Sequence, residues 1–90
     1  MHRLKVSRRD KLLKKLLRRP KDFTYNELVT LFGYYRYYEF KKGKTGGSRR
    51  AFVNQDTKHI IRLHKPHPMN ILKRYQVEEV IDELTRSGQI

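Results

Sequence analysis

Leu12, Leu13, Leu16 and Leu17 recur at helical intervals among Lys11, Lys14, Lys15, Arg18 and Arg19, a pattern that predicts an amphipathic helix. Ser7 is placed to cap it, Asp10 stands at its third position, and Pro20 ends it. A second apolar stripe, Leu28, Leu31, Phe32 and Tyr35, has the i, i+3, i+4, i+7 spacing of one helix face. Its start is marked by Thr24 and Glu27, the two ends of a capping box, with Phe23 and Leu28 as a hydrophobic staple. Gly33 lies off that face, so the helix is expected to run past it to about Tyr35, with a break near Arg36. The third helical stripe is Val77, Val80, Ile81 and Leu84, which predicts a helix from about Arg74 to Arg86. Its wet side is Glu78, Glu79, Asp82 and Glu83, and Gly88 is its C-terminal cap.

Between the second and third helices the pattern changes. Strands are expected from about Tyr37 to Lys42, from Arg49 to Asn54 and from His59 to Leu63, with turn formers at Asn54 to Lys58. The short connections favour an antiparallel meander. Pro66 and Pro68 exclude regular structure from HKPHPMN. The resulting fold class is α+β, in the order α-α-β-β-β-α, with the helices packed on one face of a three-stranded antiparallel sheet.

Composition adds a partner class. The 90 residues hold 22 Lys and Arg against 9 Asp and Glu, a formal net charge of +13. Such a chain attracts polyanions over about a Debye length, roughly 8–10 Å. Nucleic acid is the leading partner and an anionic membrane surface the second. The charge is uneven: four of the nine acids fall in the last helix, so that helix stands apart from the cationic face. The first helix is either a basic helix laid on RNA or lipid, or a helix docked by its leucines with its charges solvated. Four Phe and six Tyr offer faces for base stacking. The absence of cysteine excludes disulfides, thiolate catalysis and cysteine-ligated zinc. No apolar run approaches the roughly 20 residues of a spanning helix, and Met1 to Val6 lack a secretory signal's apolar region. A soluble cytoplasmic protein with no membrane partner is therefore expected.

The densest chemistry lies in Lys41 to Val53, KKGKTGGSRRAFV. Gly46 and Gly47 let the backbone approach a ligand, while Lys42, Lys44 and Arg50 supply charge and Ser48 a hydrogen-bond donor to phosphate. This is not a Walker A loop, because no GK[ST] opens a helix. Arg49 and Arg50 are neighbours on a strand and must point opposite ways, so at most one faces the loop's ligand. Ser48 has no Asp–His pairing that would make it a nucleophile. Of the histidines, His59 is expected as an exposed strand residue. His64 and His67 flank Lys65 and Pro66, where they suit either acid–base catalysis or turn structure with phosphate contact. No carboxylate cluster accompanies them, so neither a metal nor any other cofactor is expected.

Three segments in order, GKTGGSRRAF, IIRLHKPHP and ILKRYQVEEVIDEL, resemble the HicA family, the toxins of HicA–HicB toxin–antitoxin pairs. LLRRPKDFTYNELVTLF looks like a subgroup of the same family, so the likeness covers the chain from about Leu12 onward. The resemblance implies a fold like a double-stranded RNA-binding domain over residues 22–90, preceded by a basic N-terminal extension, residues 1–21. It also implies a metal-independent endoribonuclease that cleaves messenger RNA and arrests translation, with a HicB-like antitoxin covering its active face. Members of the type pattern carry their catalytic histidine just after the Gly-Ser of the loop, where this chain has Arg49. Arginine cannot act as a base, although it can clamp a phosphate. A second histidine of many members is matched by His67. The implied site is then His67 or His64 as base, with Arg49 and the loop holding phosphate. A non-catalytic RNA-binding module is the competing reading, and a basic protein whose only partner is an acidic antitoxin is a third.

Overall fold

In the computed structural model, which describes residues 7–40 and 49–90, the first helix begins where Ser7 Oγ accepts a hydrogen bond from the Asp10 backbone N–H. That bond satisfies one of the amide donors a helix start leaves without an intrahelical partner. This helix, α1 (Arg8–Leu17), buries Leu12 and Leu16 and packs Leu13 against the core, while Leu17 remains exposed. Its leucines dock it on the rest of the molecule, and Leu12 and Leu16 belong to the same core as the sheet residues.

The second helix, α2 (Tyr25–Tyr34), carries the complete capping box. Thr24 Oγ1 accepts from the Glu27 N–H, and the Glu27 carboxylate accepts from the Thr24 N–H, each at 3.0 Å. Lys15 Nζ lies 3.0 Å from Glu27 Oε2 and ties α1 to this start. Partial burial alone would raise the Glu27 carboxyl. The Thr24 N–H and the Lys15 ammonium outweigh it and hold Glu27 below the usual carboxylate range. After α2, Arg36 takes a left-handed backbone (φ 67°) that turns the chain into the sheet.

Three strands, β1 (Tyr37–Glu39), β2 (Arg49–Asn54) and β3 (Ile60–His64), pair antiparallel in that order. β1 is described from Tyr37 to Glu39, and the end of the expected strand at Lys42 falls outside the described residues. Phe40 still donates its N–H to the Ala51 carbonyl at 2.7 Å, and Lys41 and Lys42 lie outside the described residues. The β2–β3 turn is organised by Asn54, which is 1% exposed. Its side-chain carbonyl accepts from the Asp56 and Thr57 N–H groups, and its amide donates to the Tyr35 carbonyl, all at 2.9 Å.

The third helix, α3 (Arg74–Arg86), buries Val77, Val80, Ile81 and Leu84. The proline-rich segment before it is stitched to the start of α2: Leu72 donates to the Phe23 carbonyl and Tyr25 to the Asn70 carbonyl, both at 2.8 Å. Tyr37, Phe52 and Ile61 point from the three strands into the core. Phe32 meets Phe52 edge-on at a centroid distance of 4.8 Å, a geometry that adds dispersion and quadrupole attraction to area burial. The order is α-α-β-β-β-α and the class α+β.

Candidate nucleic-acid interface

Side-chain alternation divides the sheet into a core face and an open face. Register then fixes which open-face residues are neighbours. Tyr38 stands beside Val53, and Val53 beside Ile60. In the next row Phe40 is bonded through its backbone to Ala51, which pairs with Arg62. At the end of the sheet Arg49 pairs directly with His64. Residues opposed in this way hold their Cβ atoms about 4.5–5.5 Å apart. Tyr38, Phe40 and Ile60 are 49%, 51% and 39% exposed, so the open face presents aromatic and aliphatic side chains to solvent.

Phe40, Arg49, Ala51, Arg62 and His64 line one open concavity of about 450 Å³, to which Arg50 and Leu63 also contribute. Among the described residues no carboxylate lines it. Small Ala51 between Phe40 and Arg62 forms its floor. The site is thus an aromatic ring, two guanidinium-bearing residues and an imidazole on a rigid sheet, a set suited to a phosphate with an attached planar group.

The expected site residues separate into three groups. Arg49 and His64 come together on the open face. Arg50 points the other way, as adjacent strand residues must, and its Nε lies 3.4 Å from Glu39 Oε2. Beside that pair, burial pushes the Tyr25 phenol up to about 12; the Glu39 carboxylate adds to the shift and Arg50 opposes it. Lys65 Nζ sits 5.4 Å above the Tyr25 ring, away from the Arg49–His64 row. His67 is exposed, between buried Pro66 and exposed Pro68, and does not line the concavity. Lys42, Lys44, Gly46, Gly47 and Ser48 lie outside the described residues.

Two supports hold the site. The side chain of Gln76, 3% exposed, donates to the His64 carbonyl at 2.7 Å and accepts from the Lys73 N–H at 3.0 Å. The end of β3 is therefore pinned to the start of α3. His59 is not the exposed strand residue its neighbours suggest. It precedes β3 and is partly buried, with Nδ1 2.6 Å from the Tyr37 hydroxyl and Nε2 3.0 Å from Glu83 Oε1. It bridges β1 to α3, and Tyr37, 1% exposed, is closed to substrate.

Sequence reasoning missed Phe40 and Arg62 as site residues. The alternation of Ile60, Arg62 and His64 carried a signal, but only the strand register brings Arg62 beside Ala51. A second cationic surface lies on α1, where Lys11, Lys14 and Arg18 border a shallow depression; Lys15 there is engaged by Glu27. Among the described residues no three His, Asp or Glu side chains cluster as metal ligands, and no helix is long and apolar enough to cross a membrane. No protein-family model, curated protein or solved structure matches the chain.

Proposed function

We propose that this chain is a toxin of HicA type, a metal-independent endoribonuclease acting on messenger RNA in the cytoplasm and restrained by a HicB-like antitoxin. The observation that carries the reading is the direct pairing of Arg49 with His64 on an open sheet face that has no carboxylate among the described residues of its concavity, in a strongly basic chain. The family resemblance of the three sequence segments supplies the biological class.

In this scheme the RNA phosphate lies against the Arg49 guanidinium, whose planar fork of N–H donors matches two phosphate oxygens. The His64 imidazole takes the proton of the adjacent 2′-hydroxyl. O2′ attacks phosphorus, the P–O5′ bond breaks, and the proton passes to the departing O5′. The products are a 2′,3′-cyclic phosphate and a 5′-hydroxyl. Arg49 gains most when charge builds on the non-bridging oxygens, so its contribution is to the transition state. DNA lacks the 2′-hydroxyl and is bound without being cut. His64 has the better placement for this base than His67, which matches the family's second histidine by sequence alone.

The test is incubation of RNA with purified protein in excess chelator. The parent is expected to leave cyclic-phosphate ends, with His64→Ala slowing cleavage by ~10²–10⁴-fold and Arg49→Ala by ~10²–10³-fold. Loss on His67→Ala with His64→Ala unaffected would transfer the base to His67. The second reading, a non-catalytic RNA-binding module, is favoured by one observation: arginine occupies the position at which the resembled family carries its catalytic histidine. Retention of RNA without any cleavage by the parent would establish it.

A further inference from the structure

We infer that the open sheet face is a stacking platform for unpaired RNA bases, with Phe40 and Tyr38 receiving successive bases beside the Arg49–His64 row. This rests on the reading that Arg49 and His64 handle an RNA phosphate, and adds the part of the substrate that lies beyond it.

Three observations converge. First, Tyr38 and Phe40 are about half exposed and share one side of the β1 edge, while Glu39 between them turns to the other side, where it pairs with Arg50. Rings two residues apart on a strand are separated by about 6.7 Å. A stacked duplex repeats its bases every 3.4 Å per strand, so an unstacked strand fits this separation better. Second, Ala51 leaves a floor next to Phe40 over which a base fits, and Arg62 stands on the far side of that floor. Arginine beside an aromatic ring is the pairing that holds a phosphate while the base stacks. Third, charge selects among occupants. The concavity carries Arg49, Arg62 and His64 with no described carboxylate to repel a polyanion. A second copy of this chain would bring cations against cations, since the chain carries a formal charge of +13.

An extended strand therefore crosses the face with one base on Phe40 above Ala51, its neighbour on Tyr38, and the scissile phosphate at Arg49 and His64. Base stacking tolerates any sequence, because every base presents a π-face. Selectivity at this face is for strandedness instead: a double helix keeps its bases inside the stack and has none to offer Phe40.

The experiment is fluorescence anisotropy at low salt with a labelled single-stranded oligouridylate, its abasic counterpart and an RNA duplex. Phe40→Leu and Tyr38→Leu keep an apolar side chain at an exposed position and remove the π-face. Each is expected to weaken single-strand binding by ~5- to 100-fold while leaving duplex binding unchanged. Phe40→Trp is expected to restore affinity, and the abasic strand should not distinguish parent from Phe40→Leu. Equal single-strand affinity for parent and Phe40→Leu would overturn the platform while leaving RNA binding at Arg49 standing. Absence of any RNA binding by the parent would remove both readings. A parent dimer that Phe40→Leu dissociates, with RNA affinity unchanged, would give the face to a second copy and also overturn the proposal.

Discussion

Asn54 shows how much one polar side chain can organise. It is buried, yet three of its side-chain hydrogen bonds are made: two turn N–H groups donate to its carbonyl, and its amide donates to the Tyr35 carbonyl at the end of α2. Removing the side chain leaves those three backbone groups without their partners, and unmet buried groups cost more than a made bond contributes. Asn54→Ala is expected to destabilise the fold by about 2–3 kcal/mol, read from the urea midpoint at unchanged m-value. The residue's place at a strand end was visible in the sequence. Its burial was not, because asparagine in a turn usually faces water and only the approach of Tyr35 closes over it. The same limit applied to His59, whose partners Tyr37 and Glu83 are 22 and 24 residues away.

Among elements, α2 is the one whose start was written most fully in local sequence, and its cap also fastens α1. Glu27 accepts from the Thr24 N–H and from the Lys15 ammonium, so its charged form is favoured in the folded chain. A carboxyl held below its unfolded value contributes stability above that value, near 4.3, and loses it as pH falls through the folded value. Thermal midpoints measured from pH 7 to pH 3 should therefore drop less steeply at the acid end in Glu27→Gln than in the parent. The helices were legible because capping and 3.6-residue periodicity act within a few residues. The strands were legible in place and order but less so at their ends. β3 runs from Ile60 to His64, one residue later at each end than the side-chain pattern suggests, because strand ends depend on the partner and no local pattern records where pairing starts or stops.

For the whole molecule, the open sheet face and the basic composition make one electrostatic statement. Binding of a single-stranded RNA should fall linearly on a log–log plot against salt, and Arg62→Ala should reduce the slope by about 0.7 if it neutralises one phosphate. An unchanged slope would place Arg62 off the RNA path. The sequence by itself determined the order of elements, the capped starts of the first two helices, the opposite facing of Arg49 and Arg50, and the strongly positive net charge. These follow from nearest-neighbour geometry and from a count of charges, which any conformation of the chain retains. Only the tertiary structure set Arg49 against His64, moved Arg50 to Glu39, placed Phe40 and Arg62 across Ala51, and left His67 outside the concavity. Those juxtapositions depend on strand register, in which a shift of one residue would exchange the two faces of the sheet. Register is fixed by burial of Tyr37, Phe52 and Ile61 in a common core that no single segment contains.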